Sequence, residues 1–403
     1  MELFLQYGHG MKSLSIDLVK RWNGLTTILS PRDMTPEQLV AWSIDFKKNN
    51  VRCLFDPQCY CPKSELKKLS QYEYWDSKLN TNMQSDATYT DKVIKSIKGY
   101  NDIAETTDFI IPNILHAYNE DWDREWLNRS KLFINSANSI VVDKPLYMTL
   151  SFPKGFLLQS EDIIEPVLQS ILEWNVEGFY VIAETPEKQY LVDNPMWLSN
   201  IYQICATLKL AGRKVIFGYG NHQLLSLSLI KIDALASGTW LNVRSFTNRF
   251  IDTDEQKRKS TWVYHPPALS EYKLSYMDAA YNDGYLESMK PKDSIFLNEN
   301  IEKIFSKKVQ PSATGFNETD AFKHYLSCLR HQLDLLNKST YKETFASNEV
   351  MLNTAEIEIR RLEKIGVFAE TRSMRDKIDV MRSAITRLDN SRGFSLNVSW
   401  NDL

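Results

Sequence analysis

The chain has few of the residues that punctuate or staple small folds: 14 Gly, 14 Pro and 5 Cys among 403 residues. An odd and low cysteine count argues against a disulfide framework and for a reducing compartment. No apolar run approaches the roughly 20 residues that a membrane span needs. The opening "MELFLQYGHGMKS" has no basic n-region and no small-residue cleavage site, so a signal peptide is not expected. A cytoplasmic protein without a membrane partner is the expectation, and "NRS" and "NKS" are then chance sequons. The net charge of −3 excludes an overall basic character that would announce nucleic acid, although 48 Lys and Arg allow a local patch. What remains is a globular composition, 43% hydrophobic and 25% charged, in a chain long enough for one large domain plus a second module.

Over the first 245 residues a short apolar run, a polar or Gly/Pro break and a longer amphipathic segment recur. The runs are "LFLQYG" (3–8), "TTILSP" (26–31), "VRCLFDP" (51–57), "DFIIPNI" (108–114), "PLYMTLSF" (145–152), "GFYVIAE" (178–184), "KVIFGYG" (214–220) and "IDALASGTW" (232–240). Most are apolar on both faces, as strands of a parallel sheet are. Between them, "TPEQLVAWSIDFKKNN" (35–50) has Thr at an N-cap, Pro at N1 and apolar spacing at Leu39, Val40, Trp42 and Phe46, the marks of a helix start. "SEDIIEPVLQSILEWN" (160–175) and "NPMWLSNIYQICATLKLAG" (194–212) behave likewise, the latter ending at Gly212. Eight such units predict an α/β fold, a (β/α)₈ TIM barrel over residues 1–250, rather than an open doubly wound sheet, because "YGHG" is too sparse for a dinucleotide fingerprint. An insertion at about 62–107, polar and aromatic, predicts a lid or extra helices at the barrel mouth. Residues 251–403 predict a helical appendage: after a charged link come "AFKHYLSCLRHQLDLLNKS" (321–339), "ASNEVMLNTAEIEIRRLEKIG" (346–366) and "RSMRDKIDVMRSAITRLD" (372–389).

In a barrel, chemistry collects at the carboxyl ends of the strands. Those ends carry Gln6, Tyr7 and His9; Ser30, Arg32 and Asp33; Asp56, Gln58 and Tyr60; Asn113 and His116; Ser151; Glu184; Tyr219, Asn221 and His222; and Ser237, Thr239, Asn242 and Arg244. Amides, aromatics and few carboxylates suit a nitrogen heterocycle better than a sugar phosphate. Asp33, just before "MTPEQL", reads as a helix cap. "PQCYCP" does not open a helix, so Asp56 reads as catalytic. Glu184 is either a catalyst or a positioning residue. His9, between two glycines, either approaches a ligand or is a solvated turn residue, and His222 either serves the site or caps the next helix. Cys59 and Cys61 form a C-x-C pair, but a zinc site needs at least three protein ligands. Cys53 points to the other strand face from Asp56, while Cys205 and Cys328 fall on predicted helices. No metal and no other cofactor is expected. "RSFTNRF" and "EQKRKSTWVYH" set Arg244, Arg249, Lys257, Arg258 and Lys259 beside Trp262, Tyr264 and His265. Basic residues among aromatics suit an extruded nucleotide, with a solvated loop as the plainer reading.

"VIFGYGNHQLLSLSLIKIDALASGTWLNVRSF" (215–246), "CLFDPQCY" (53–60) and "GFYVIAE" (178–184) together resemble the tRNA-guanine transglycosylases and their deazaguanine DNA-modifying relatives. The resemblance spans roughly the first 250 residues in order and spacing. It implies that Asp56 is the acid/base or base-recognition carboxylate. Tyr60 would stack on an extruded base with Phe217 on its other face, Gly218 and Gly220 would admit the base closely, and Asn113 would read it. Gln58, Tyr219 and His9 complete the expected base-binding set, and Arg32 joins the expected nucleic-acid contacts.

Two departures bear on chemistry. Where the family places a nucleophilic Asp on strand eight, this chain has Ala236 or Ser237, and the family's zinc cluster is absent. Base exchange needs a nucleophile to hold the sugar. Without one, a single carboxylate activating water is the simpler route through an oxocarbenium-like transition state. The sequence therefore predicts a glycosylase acting on a flipped, modified base in DNA, similar to the phage-replication-inhibiting DNA glycosylases of bacterial defence. The alternatives are base exchange with Asp56 as nucleophile, an inactive barrel serving as a nucleic-acid- or protein-binding module, and a barrel enzyme acting on a small metabolite.

Overall fold

In a computed structural model of the chain, the structure describes residues 1–61, 66–75, 87–116, 122–186, 189–247, 260–306 and 308–403. Eight parallel strands form one sheet: β1 (Glu2–Gln6), β2 (Leu25–Leu29), β3 (Val51–Phe55), β4 (Phe109–Ile111), β5 (Leu146–Phe152), β6 (Gly178–Ala183), β7 (Lys214–Phe217) and β8 (Ala234–Ser237). Their order, β3-β2-β1-β8-β7-β6-β5-β4, is that of a barrel opened between β3 and β4. Even that seam is bridged: Thr107 N–H donates to Cys53 O at 3.1 Å and Leu115 N–H to Tyr60 O at 2.9 Å. The fold is thus a nearly closed (β/α)₈ barrel. Apart from β5, each strand ends before its apolar run does, because the last residues of the run leave the ladder to form the mouth.

Helices α1 (Met11–Trp22), α2 (Pro36–Lys48), α3 (Ala87–Ile103), α4 (Trp122–Ile140), α5 (Glu161–Leu172) and α6 (Pro195–Leu210) form the outer layer. α2 starts as its sequence predicts: Thr35 and Gln38 form a reciprocal capping box ahead of Pro36. The cap is therefore Thr35 and not Asp33, whose carboxylate accepts from Ser30 Oγ at 3.1 Å. The apolar stripe is also narrower than predicted, since Val40 is exposed. α3, at the end of the long insertion, packs on α2, α4 and the β3–β4 seam as the ordinary crossover helix; residues 62–65 and 76–86 of the insertion lie outside the described residues. After β7 a run of 3₁₀ turns, His222–Ile230, stands in for a helix and is capped by Asn221, whose Oδ1 accepts from Gln223 N–H, not by His222.

The appendage is only partly as its sequence predicts. An antiparallel hairpin, β9 (Trp262–His265) with β10 (Ser270–Lys273), precedes short helices α7 (Leu274–Asn282) and α8 (Glu299–Ser306). Then come α9 (Glu318–Leu336), α10 (Tyr341–Lys364), α11 (Ile378–Leu388) and α12 (Phe394–Val398). α9 packs on β1, α1 and the 222–230 run, so it occupies the place of the barrel's eighth helix. Lys323 on α9 pairs with Asp17 on α1 at 2.7 Å, and Arg330 lies 4.8 Å over the Trp22 ring. Among the described residues no helix is long and apolar enough to cross a membrane.

Candidate active site

β3 delivers Asp56 to the carboxyl-terminal mouth of the barrel, where the carboxyl has no exposed surface. Four donors surround it. Oδ1 takes Tyr60 Oη–H at 2.5 Å and the Gln58 N–H at 3.0 Å; Oδ2 faces Tyr180 Oη at 3.2 Å and Tyr219 Oη at 3.3 Å. Two local conformations make this possible. Gln58 and Tyr219 both sit in the left-handed region, with φ of 56° and 55°, which turns their side chains back into the mouth. There they meet: Gln58 Nε2 donates to Tyr219 Oη at 2.9 Å and to Ser30 Oγ at 2.7 Å, and its Oε1 accepts from Arg32 N–H at 2.8 Å. Non-glycine residues held at positive φ cost on the order of 1–3 kcal/mol each, and such strain gathers at functional sites.

The proton count of the cage fixes one side-chain orientation. Tyr180 has a single hydroxyl proton but two acceptors, Asp56 and Gln6 Oε1, the latter at 2.9 Å, while Gln6 Nε2 has no partner. Reversing the Gln6 amide, which exchanges two atoms of nearly equal size, relieves the competition for the Tyr180 proton and leaves the unpartnered position to Oε1. Nε2 then donates to Tyr180, and the Tyr180 proton is free for Asp56.

Burial pushes the Asp56 carboxyl up to about 6, with the hydrogen bonds from Tyr60, Gln58, Tyr180 and Tyr219 opposing it. Burial first, and the neighbouring Asp56 charge second, hold the three phenols well above their ordinary range. They are protonated donors at neutral pH. The group is an acid/base poised near physiological pH in a water-poor aromatic cage, completed by Phe246 at 5.3 Å from the Tyr60 ring and 5.5 Å from that of Tyr219.

The structure brings together Asp56, Gln58, Tyr60 and Tyr219 from the predicted set. It also adds Tyr180, Phe246 and Gln6. Tyr180 was legible: it lies four residues before Glu184 in "GFYVIAE", and a period of two puts both on one face. The two glycines expected to admit a base instead admit the protein itself. A Cβ on Gly218 would fall 2.5 Å from Tyr180 Oη, and one on Gly220 would fall 2.4 Å from Leu235 Cδ1. With Gly218 turned inward, strand alternation turns Phe217 outward, away from the cage.

Other predicted residues lie apart from Asp56. The Asn113 amide donates to Ser130 Oγ at 3.0 Å and Thr149 O at 3.1 Å and accepts from Ile114 N–H, which directs it into the helix layer. Glu184 is buried, accepts from Lys154 N–H at 3.0 Å and forms a parallel bridge with Phe246, so its backbone sets the ring that closes the cage. His9 is exposed near Asp33. Arg32 is half-buried and its N–H is held by Gln58. Arg244 is inside the protein: it pairs with Glu271 at 3.2 Å and stacks 3.4 Å above the Tyr325 ring, so its charge is not offered to a phosphate. Arg249, Lys257, Arg258 and Lys259 lie outside the described residues. Burial pushes the thiols of Cys53 and Cys61 up to about 12 and that of Cys59 higher, which makes them packing residues. Among the described residues no cluster of three or more His, Cys, Asp or Glu could hold a metal ion.

No protein-family model matches the chain, and no curated protein matches its sequence.

Proposed function

We propose that the protein is a nucleobase glycosylase acting on a flipped, modified base in DNA, with a role in defence against phage. In this reading Asp56 takes a proton from water, the water oxygen bonds to the sugar C1′, the C1′–N bond breaks, and the departing base takes up a proton. The observation that carries the reading is the Asp56 carboxyl, buried at the mouth of a barrel, poised near 6 and ringed by phenols. Tyr60 and Phe246 offer aromatic faces to a base once one of them swings aside, the cost of which is offset by stacking and by the ease of extruding a damaged or modified nucleotide. The resemblance at "CLFDPQCY" and "GYGNH" supplies the substrate class, and the lack of a carboxylate at Ala236 or Ser237 favours hydrolysis over base exchange.

The test is mass spectrometry of bases released from phage and host DNA, with Asp56→Ala as control and a labelled free base added. Free base and abasic sites that vanish in Asp56→Ala support hydrolysis. Label entering the polymer indicates exchange. A second reading, a catalytically inactive barrel that binds nucleic acid, draws on one observation: the Asp56 oxygens are already engaged by protein donors. Biological function that persists in Asp56→Asn would decide for it.

A further inference from the structure

Asp56 is a buried anion above about pH 6, and among the described residues every partner of its carboxyl oxygens is neutral: three phenols and a backbone N–H. Burial outweighs those four hydrogen bonds, which is why the group titrates above its ordinary range. A cation bound beside it would supply the counter-charge that neutral donors do not.

The walls suit the same charge. The Tyr60 ring stands at 82° to that of Tyr219 and at 78° to that of Phe246, and Tyr219 lies at 58° to Phe246, with centroids 5.3 to 6.3 Å apart. Three mutually tilted rings beside a carboxylate form an aromatic cage, whose π faces attract a cation most strongly where water is excluded. The amides leave little with which to read a neutral base. Gln58 commits both amide protons to Ser30 and Tyr219 and its oxygen to the Arg32 N–H. Gln6, with its amide reversed, gives its nitrogen to Tyr180 and keeps only an acceptor. Nor is an acid at hand for a leaving base. The phenol protons already lie on Asp56, and burial, with the Asp56 charge, holds all three phenols well above their ordinary range.

We propose that the base this cage takes is cationic: a nucleobase carrying a fixed positive charge from alkylation of a ring nitrogen. Its chemistry rests on the glycosylase reading. The water oxygen bonds to C1′, Asp56 receives the water proton, and the electron pair of the breaking C1′–N bond cancels the positive charge of the base. The base departs neutral, without the proton that a neutral base takes up on leaving. The binding preference itself does not depend on that reading.

Fluorescence anisotropy of the full chain with labelled single strands tests it, because unpaired strands remove differences in base pairing. The strands differ in one base: 3-methylcytosine or 1-methyladenine, cationic at neutral pH, against the neutral isomers 5-methylcytosine and N6-methyladenine. At least one cationic strand is expected to bind about tenfold tighter than its isomer. The preference vanishes in Asp56→Asn and shrinks in Phe246→Leu, both with native circular dichroism. In the unaltered protein it falls as pH drops through about 6, where Asp56 takes up a proton. The three phenols, Cys59 and Tyr74, the titratable groups around the carboxyl, stay neutral there. Equal binding within both isomer pairs, or a preference that survives Asp56→Asn or low pH, overturns the proposal. Base release from the same strands judges the glycosylase reading by itself. A binding preference without release sinks that reading and leaves this one standing, whereas release of the neutral isomers as readily as the cationic ones overturns this one.

Discussion

At the scale of single residues, Asp56 ties stability to pH. Its carboxyl ordinarily titrates near 3.8 and is raised to about 6 in the fold. A group whose folded value is raised contributes stability below its unfolded value and loses it as pH climbs through the folded one. The native protein therefore loses about 3 kcal/mol from this group between about pH 4 and pH 6. Asp56→Asn, which does not titrate, removes that slope, and denaturant unfolding of the two proteins across this window measures it; parallel curves would sink the assignment. If Asp56 is the base that activates water, kcat/KM rises with pH through the same region. Gly218 supplies a second check. Gly218→Ala drives a methyl into Tyr180 and is expected to cost about 1–3 kcal/mol, the range for overpacking. In a Tyr180→Ala background that cost is expected to disappear, a non-additivity that only direct contact produces. Additive effects in the double-mutant cycle would show that Tyr180 does not lie against Gly218.

At the scale of elements, capping and packing act at different ranges. The Thr35 capping box was readable because every group in it lies within four residues. The place of α9 was not readable, because an amphipathic helix of suitable length does not name the surface it covers. Its buried face, with Leu326, Leu329 and Leu333 at or near zero exposure, closes the barrel between β1 and the 222–230 run. Leu329→Ala is accordingly expected to cost about 2–5 kcal/mol and to lower the stability of the barrel and appendage together. A single unfolding transition, followed by far-ultraviolet dichroism and tyrosine fluorescence, is the expected result. Two separated transitions would show that the appendage is an independent unit.

At the scale of the whole molecule, one buried ion cluster joins the barrel to the rest. Glu271 on β10 accepts from Arg244, beyond β8, at 3.2 Å and from Arg372, ahead of α11, at 2.8 Å. Burial pushes its carboxyl up, but the two guanidinium groups outweigh this and hold it below the ordinary range. Glu271→Gln leaves two cations without their counter-charge, one of them fully buried, and is expected to cost roughly 3–5 kcal/mol. Because the cluster is sheltered from solvent, the loss should persist at high salt; a cost that fades as salt is added would place the cluster in contact with solvent. The same cluster takes Arg244 out of the expected nucleic-acid contacts, because it neutralises a carboxylate of its own chain.

Local rules sufficed for the eight strands, the six helices that follow β1 to β6, the parallel barrel and the delivery of Asp56 with Tyr60 to its mouth, since strand alternation, apolar runs and caps act over a few residues. They also separated Cys53 from Asp56 by face. Where side chains from different strands converge, local rules stop. Only the closed barrel sets Tyr180 of β6, Tyr219 beyond β7 and Phe246 beyond β8 around one carboxyl, and only packing turns Asn113 away from it. The sequence by itself determined the barrel and the position of its acid just past the end of β3. Tertiary structure decided the acid's protonation range and its companions, because both depend on how deeply Asp56 is buried and on which hydroxyls, distant in the chain, are brought within hydrogen-bond reach.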